Sequence, residues 1–346
     1  MAYFTKFGLA TANVWEPNTL HNILSEVQNN EVKRIILFCQ AEWCHWNFDS
    51  FTQLIEYASK KNICIDIVNG SVAIKVTTPL VEHYNLHFFP ESFIFKSAHQ
   101  IKHFVKDRHL NLEQIEYKHH FVSLNSRAHQ HRMEMMDILA LHDIISNNAI
   151  TWHNLQPFPY NYKFWNPTRL NLSDNFYLDP KFGNCYNLPN EYYTSFAQLV
   201  VESTVEAVFI TEKTTLPLFM GKPFLVASCE HFYDHLKHLG FETYDEIFDY
   251  SFDKEPNQTM RFCMIADNFR KLSKLPLSEL NNLGLLVKDK VEHNKSLVNK
   301  LARDVNRYPQ PIKDIIEIYK TSGEMLDSVT ISEYNNHKKI VDEFGL

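Results

Sequence analysis

The stretch FITEKTTLPLFMGKPFLVAS, from Phe209 to Ser228, passes from a strand-like run to a helix-like run and on to a second strand-like run. Residues 208–211 predict a short strand or the end of one, residues 215–220 predict a helix, and residues 222–227 predict another strand. Gly221 stands where helices commonly end, because glycine adopts the left-handed backbone conformation without a steric penalty. Apolar strands separated by a helix favour a parallel sheet covered by helices, so the stretch predicts an α/β fold.

Two opposite charges, Glu212 and Lys213, stand side by side where the predicted strand gives way to the helix. We expect the two side chains to diverge at such a turn and to bind a ligand, although a purely structural ion pair is the alternative. Ligands of parallel sheets collect beside the carboxyl ends of the strands, and anions are favoured at helix N-termini. A carboxylate there accepts hydrogen bonds from ribose hydroxyls, and an ammonium neutralises a phosphate.

Strand and helix signals also alternate in other parts of the chain. The predicted strands lie at residues 34–40, 63–68, 120–124 and 197–203, and the predicted helices at residues 50–60, 132–142 and 231–239. Residues 152–189 predict a long ordered loop, and residues 260–319 are largely helical.

The length of 346 residues favours two domains. We assign residues 1–118 to a first Rossmann-like domain, residues 119–320 to a second one, and residues 321–346 to a C-terminal tail helix.

Composition excludes several classes of protein. The chain is 45% hydrophobic and can bury an ample core. Its apolar runs are all shorter than the roughly 18 residues that span a bilayer. Its first residues lack the apolar stretch of a secretion signal, so we expect a cytoplasmic protein. The six cysteines show no paired spacing, which favours thiols over disulfides.

Charge is unevenly distributed along the chain. The net charge of −7 argues against a general nucleic-acid binder. Residues 96–132, here named the basic band, nevertheless hold seven basic against three acidic side chains, together with seven histidines. The band is interpreted either as a solvated loop or as a surface that faces a polyanion.

Motifs for bound cofactors and metals are missing from the sequence. AEWCHW, at residues 41–46, is followed by Asn47 where a thioredoxin-like site needs its second cysteine. GKP, at residues 221–223, lacks the earlier glycine and the hydroxyl of a phosphate loop. There is no Gly-x-Gly-x-x-Gly and no Asp-x-Asp, and the His and Cys spacings fit no zinc site. We therefore expect neither a cofactor nor a metal.

A series of short blocks in residues 200–253 follows a known order. They are Glu202-Ser203, Thr211-Glu212-Lys213, Pro217, Gly221-Lys222-Pro223-Phe224 and Leu239-Gly240-Phe241-Glu242-Thr243-Tyr244. The order resembles the donor-binding half of the α1,3-fucosyltransferase-like glycosyltransferases, in particular the short viral and bacterial forms. FVSLNSRAHQHRMEMMDIL, at residues 121–139, resembles that family's strand ending in Asn and the following helix with an arginine. The resemblance covers roughly residues 121–294, about half of the chain.

The resemblance implies an enzyme of GT-B architecture, with two Rossmann-like domains facing across a cleft and a nucleotide-sugar donor held by the second. No metal is required, which agrees with the missing Asp-x-Asp. Lys213, with Arg132 or Arg127, would stabilise the leaving diphosphate. Glu202 and Glu212 would bind the ribose or orient Lys213. The donor-binding residues that the resemblance implies are Asn125, Arg127, Arg132, Glu202, Thr211, Glu212 and Lys213.

An inverting transfer also needs a general base for the acceptor hydroxyl. Glu42 follows the strand predicted at residues 34–40 and is our candidate for a catalytic residue beside Lys213, with Asp49 and Glu91 as rivals. A solvated loop carboxylate is the alternative interpretation of Glu42.

Two acceptors fit the resemblance. One is a hydroxymethylated base in duplex DNA, as used by phage enzymes that modify their own genomes, and the other is a surface glycan. The basic band favours DNA, with phosphate contacts from Lys102, Lys106, Arg108 and Lys118 while an extruded base enters the cleft. The net acidity favours the glycan. A non-catalytic module that binds a nucleotide sugar or a glycan is a third possibility.

Overall fold

The structure is a computed structural model. It describes residues 3–4, 9–13, 19–39, 48–70, 84–89, 94, 110, 112, 114–125, 128–152, 188–314 and 317. The predicted tail helix at residues 321–346 and nearly all of the loop predicted at residues 152–189 lie outside these ranges. Contacts within the chain define two compact units, one of Met1–His99 with Arg303–Leu346 and one of Gln100–Ala302.

The first unit contains a five-stranded sheet. Its strands are β1 (Tyr3–Phe4), β2 (Leu9–Asn13), β3 (Arg34–Cys39), β4 (Cys64–Asn69) and β5 (Asn85–Phe88), which lie in that order across the sheet. All neighbouring strands are parallel except β1 and β2. Two helices, α1 (Thr19–Asn29) and α2 (Phe48–Lys60), connect β2 to β3 and β3 to β4. The apolar side chains of both helices and of one sheet face form a single buried cluster.

A polar network lies on the opposite face of this sheet, because side chains alternate along each strand. The buried Asp66 of β4 accepts hydrogen bonds from Arg34 Nε at 2.6 Å and from His87 Nε2 at 2.8 Å. Burial alone would raise the pKa of Asp66, but these donors and Asn85 hold the pKa below its ordinary value. Arg34 also pairs with Asp314 at 2.5 Å, which ties the returning chain to the sheet of its own unit.

The second unit contains a four-stranded sheet in which all strands are parallel. The strands β6 (His119–Asn125), β7 (Ala149–Trp152), β8 (Ser195–Val201) and β9 (Phe224–Ala227) lie in the order β7-β6-β8-β9. Its helices are α3 (Gln130–Leu141), α4 (Asn190–Tyr193), α5 (Glu212–Met220), α6 (Phe232–His238), α7 (Gln258–Leu272) and α8 (Leu280–Leu301). Every residue of β8 and β9 is buried, as expected for a parallel sheet covered on both faces.

The predicted α/β class is confirmed, with parallel sheets and intervening helices in both units. The five strands predicted at residues 34–40, 63–68, 120–124, 197–203 and 222–227 are confirmed to within two residues. The helices predicted at residues 50–60, 132–142 and 231–239 are also confirmed, and α5 begins three residues before its predicted start at 215. Gly221 has φ +70° at the end of α5, where the sequence placed the helix stop.

The short strand predicted at residues 208–211 is wrong. These residues are irregular, because β8 ends at Val201 and the sheet continues with β9. Phe209 and Ile210 are nevertheless fully buried. Their apolar side chains therefore anchor the loop that leads into α5 in the protein interior.

Among the helices of the described ranges, none is both long enough and apolar enough to cross a membrane.

A lysine is buried two residues before β9. The Lys222 amino group donates a hydrogen bond to the carbonyl of Ser195 and lies 4.9 Å from the ring centre of Tyr192. Burial lowers the pKa of Lys222 to about 7. The folded protein therefore gives up this proton at a pH where the unfolded chain still holds it.

We expect Lys222→Met to stabilise the protein at neutral pH. Each unit of pKa shift corresponds to about 1.4 kcal/mol, and the lost Ser195 contact offsets part of the gain, so an increase of about 2 kcal/mol is expected at pH 7. The pKa of Lys222 is lower in the folded than in the unfolded state, so wild-type stability falls as pH decreases from about 10.5 to about 7. The variant should lose that part of the pH dependence in urea unfolding.

Lys300→Met, at an exposed position near the end of α8, is the matched control and should leave both quantities unchanged. A Lys222→Met protein that is less stable than wild type at pH 7 would contradict the expectation.

Candidate functional site

The order of strands in the second unit reverses between β6 and β8. From β6 the chain runs through α3 to β7 on one side, whereas β8 pairs with the other side of β6 and leads on to β9. In open α/β sheets, ligands bind beside the carboxyl ends of the strands at such a reversal. Asn125 is the last residue of β6, and Glu202 directly follows β8. These two residues therefore mark the candidate site.

The Glu202 carboxylate is fully buried and is saturated by hydrogen bonds from the chain itself. Oε1 accepts from the Thr211 backbone N–H at 3.0 Å and from the Thr214 hydroxyl at 2.6 Å. Oε2 accepts from the Ser203 backbone N–H at 3.0 Å and from the Thr211 hydroxyl at 2.6 Å. Glu202 thus joins the end of β8 to the start of α5 and has no acceptor position left for a ligand.

Thr211 fixes the first residue of α5. Its side-chain oxygen accepts a hydrogen bond from the Lys213 N–H at 3.2 Å, as in a typical N-cap. The same hydroxyl donates to Glu202, so the cap is itself held in place. Because the helix begins at Glu212, both Glu212 and Lys213 lie in its first turn, at the positive end of the helix dipole.

Glu212 and Lys213 form an ion pair, so the expectation that their side chains diverge is wrong. Lys213 Nζ lies 2.6 Å from Glu212 Oε1, and each side chain is 20% exposed. Both side chains are long and both belong to the first turn of α5, so each bends towards the other. Lys213 Nζ also donates to the Ser203 hydroxyl at 2.8 Å. Burial alone would raise the pKa of Glu212, but Lys213 and Arg132 hold the pKa below its ordinary value.

The first turn of α3, which follows β6, also contacts Glu202. His131 Nε2 donates a hydrogen bond to the Glu202 carbonyl at 2.8 Å, and buried Arg132 Nη2 donates to that carbonyl at 3.5 Å. Burial, together with the nearby charges of Arg132 and Lys213, lowers the pKa of His131 to about 3, although the hydrogen bond to the Glu202 backbone acts in the opposite direction. The imidazole is therefore neutral at physiological pH, with its proton on Nε2.

His131 is a site residue that the sequence marked only as one of the seven histidines of the basic band. Its ring is stacked on that of His129, with ring centres 5.7 Å apart. The available signal was its position directly before Arg132, an arginine that the resemblance already singled out.

Asn125 brings a buried amide to the carboxyl end of β6. Its backbone N–H donates to the Thr151 hydroxyl at 2.7 Å, and its Nδ2 donates to the Ser123 hydroxyl at 3.0 Å. Its Oδ1 atom is buried and accepts no hydrogen bond from any of the described residues. A buried acceptor without a donor is costly in a folded protein, which favours a ligand or a water at this atom.

The structure brings together five of the residues singled out beforehand, namely Arg132, Glu202, Thr211, Glu212 and Lys213. Asn125 is the last residue of β6, the strand that pairs with β8. Other candidates lie outside the described residues, and these are Glu42, Glu91, Lys102, Lys106, Arg108 and Arg127. Asp49 belongs to α2, but its side chain is also outside the described part.

Lys118 lies at the other end of the sheet. It directly precedes β6, and its side chain is exposed. A strand rises about 3.3 Å per residue, so the Lys118 backbone lies about 20 Å from Asn125 and the candidate site. Lys118 is therefore at the amino ends of the strands, away from Lys213, whereas His131 and Arg132, at the other end of the basic band, belong to the candidate site.

The site can neutralise an anion with Lys213, Arg132 and the first turn of α5. The Glu212 carboxylate and Asn125 Oδ1 can accept hydrogen bonds from hydroxyl groups of a ligand. Among the described residues, no three His, Cys, Asp or Glu side chains are grouped as metal ligands.

No family model matches the chain, and neither a curated protein nor a solved structure matches it.

Proposed function

We propose that the protein is a glycosyltransferase that takes a sugar from a nucleotide-sugar donor and transfers it to a hydroxyl group without a metal. The observation that carries the proposal is the placement of Lys213 and Glu212 in the first turn of α5, beside the strand reversal. This combination of cation, carboxylate and helix N-terminus suits a ligand with both phosphates and hydroxyls. The resemblance of residues 200–253 to the fucosyltransferase-like family supports the same reading.

Each side chain has a role in this proposal that follows from its contacts. Lys213 and Arg132 neutralise the diphosphate and the charge that develops on it as the sugar leaves, and Arg127 remains a further candidate. Glu212 accepts hydroxyls of the donor. Glu202 has no acceptor position left, so of its two expected roles we retain the positioning of α5 and Lys213.

The arrangement of the domains is part of the proposal. The two units each have a sheet of mainly parallel strands with helices, which is the composition of a GT-B enzyme. We propose that they face each other across a cleft and that the first unit supplies the general base of an inverting transfer. Glu42 is the proposed base, with Asp49 and Glu91 as rivals.

The acceptor is chosen by the proposed first domain and by the basic band. Of the four residues proposed to contact DNA, Lys118 alone is described. It lies at the amino ends of the strands, whereas the proposed donor site lies at their carboxyl ends. This position gives a DNA acceptor no added support. Transfer assays therefore have to offer both a hydroxymethylcytosine duplex and an oligosaccharide.

We expect at least one nucleotide sugar to stabilise the protein. UDP-, GDP-, CDP- and TDP-sugars are added separately without a metal, and the unfolding temperature is measured. A donor at 100 times its dissociation constant adds about 2.7 kcal/mol, or roughly 5–10 °C for a domain of this size.

The Lys213→Met variant provides the control, because its unfolding temperature should respond far less to the same donor. The absence of any shift with all four classes would sink the proposal. An equal shift in the variant would move the donor site away from α5.

A further inference from the structure

The Glu212 carboxylate already occupies the position that suits an anion at the start of α5. Oε1 lies 2.6 Å from Lys213 Nζ, and the Glu212 backbone N–H also favours the charged form of the carboxylate and so lowers its pKa. This N–H is one of the donors that the first turn of a helix leaves without an intrahelical partner. Arg132 adds a further favourable charge interaction with the same carboxylate.

An incoming anion must therefore compete with Glu212 for Lys213. The ammonium also holds the Ser203 hydroxyl at 2.8 Å, which fixes it at the end of β8 and limits its movement towards a ligand. Glu212 has no such anchor on β8, and its side chain is partly exposed. The simplest exchange moves the carboxylate and leaves the ammonium in place.

A displaced carboxylate needs new hydrogen-bond donors, because a partly buried charge without partners is unfavourable. A simple anion such as pyrophosphate offers none. An anion that also carries hydroxyl groups offers donors to Glu212 while its phosphates take Lys213. The exchange is then balanced on both sides.

We propose that Glu212 is an internal competitor that makes the site reject simple anions and admit anions that bring hydroxyl groups. The naming of nucleotide sugars as the admitted class rests on the proposed function, whereas the competition between Glu212 and an anion does not. Glu212 is in this view a specificity-determining residue, acting through Lys213 as well as through direct contact.

The test measures the binding of inorganic pyrophosphate by calorimetry at fixed ionic strength. Glu212→Gln keeps the shape of the side chain and removes its charge, so it should bind pyrophosphate about tenfold more tightly than wild type. The matched control is Glu246→Gln, which makes the same change in an ion pair with Lys290. It should change the affinity less than twofold, because a distant charge is screened.

A double-mutant cycle separates the ion pair from the general change in charge. In a Lys213→Met background, Glu212→Gln should no longer improve pyrophosphate binding by more than about twofold. Unchanged or weaker pyrophosphate binding by the single Glu212→Gln variant would overturn the proposal, as would the absence of binding by every variant.

A second arm tests the hydroxyl groups with the nucleotide sugar that gives the largest thermal shift. Wild type should prefer it over pyrophosphate, and Glu212→Gln should reduce that preference at least tenfold. A preference that survives the substitution overturns the specificity role of Glu212. If no nucleotide sugar binds but pyrophosphate follows the expected pattern, the competition stands and the proposed function fails.

Discussion

Replacement of Lys213 with methionine is expected to lower sugar transfer by a factor of roughly 100 or more, the usual loss when one charge donor to a transition state is removed. The ammonium lies in the first turn of α5 and is held on two sides, by Glu212 at 2.6 Å and by Ser203 at 2.8 Å. Methionine keeps the length of the side chain, so the fold should be retained. Transfer is measured with the donor found by thermal shift, on both the duplex and the oligosaccharide acceptor.

The control for this variant is Lys290→Met, which removes a lysine from an ion pair with Glu246 on the same unit. It should transfer sugar at the wild-type rate. Turnover of Lys213→Met within threefold of wild type, on whichever acceptor is used, would show that the Thr-Glu-Lys block has a structural role only.

Glu202→Gln is expected to lower the free energy of unfolding by about 3 kcal/mol or more. Each carboxylate oxygen accepts one backbone N–H, from Thr211 at Oε1 and from Ser203 at Oε2. An amide has one oxygen and one NH₂ group, so in either orientation the NH₂ group faces a backbone donor. The hydroxyl partners can rotate, but the two backbone groups cannot. Urea unfolding measures the loss.

Glu292→Gln on the exposed side of α8 makes the same chemical change without burial and should be neutral within about 0.5 kcal/mol. If Glu202→Gln were as stable as Glu292→Gln, the buried network around Glu202 would have no part in holding α5 to β8.

Local signals predicted the elements around the site well. α5 ends at Gly221, whose φ of +70° suits glycine. This signal is carried by a single residue and can therefore be recognised in the sequence. The alternation of buried strands and helices is likewise a local pattern, and it gave the α/β class and the strands of both sheets. The start of α5 was placed three residues late because the signal lies in Thr211, a capping residue read only as part of a motif.

The contacts within the site were less predictable, because they depend on tertiary structure. Glu202 is saturated by groups that lie up to twelve positions away, and His131 reaches the Glu202 carbonyl across 71 positions. The pairing of Glu212 with Lys213 was misjudged for a different reason. Adjacent side chains leave a helix in different directions, but these two are long enough to meet, and their partial burial makes each the best partner of the other.

The ion pair between Arg34 and Asp314 forms late in the synthesis of the chain. The second unit is one continuous stretch of chain, residues 100–302, whereas the first is interrupted and includes residues from Arg303 onward. During synthesis, all of the second unit is therefore complete before Asp314 exists. Arg34 precedes Asp314 by 280 positions, so Arg34 and the buried Asp66 are made long before that carboxylate is added. The first unit is thus closed only after the second unit has been synthesised.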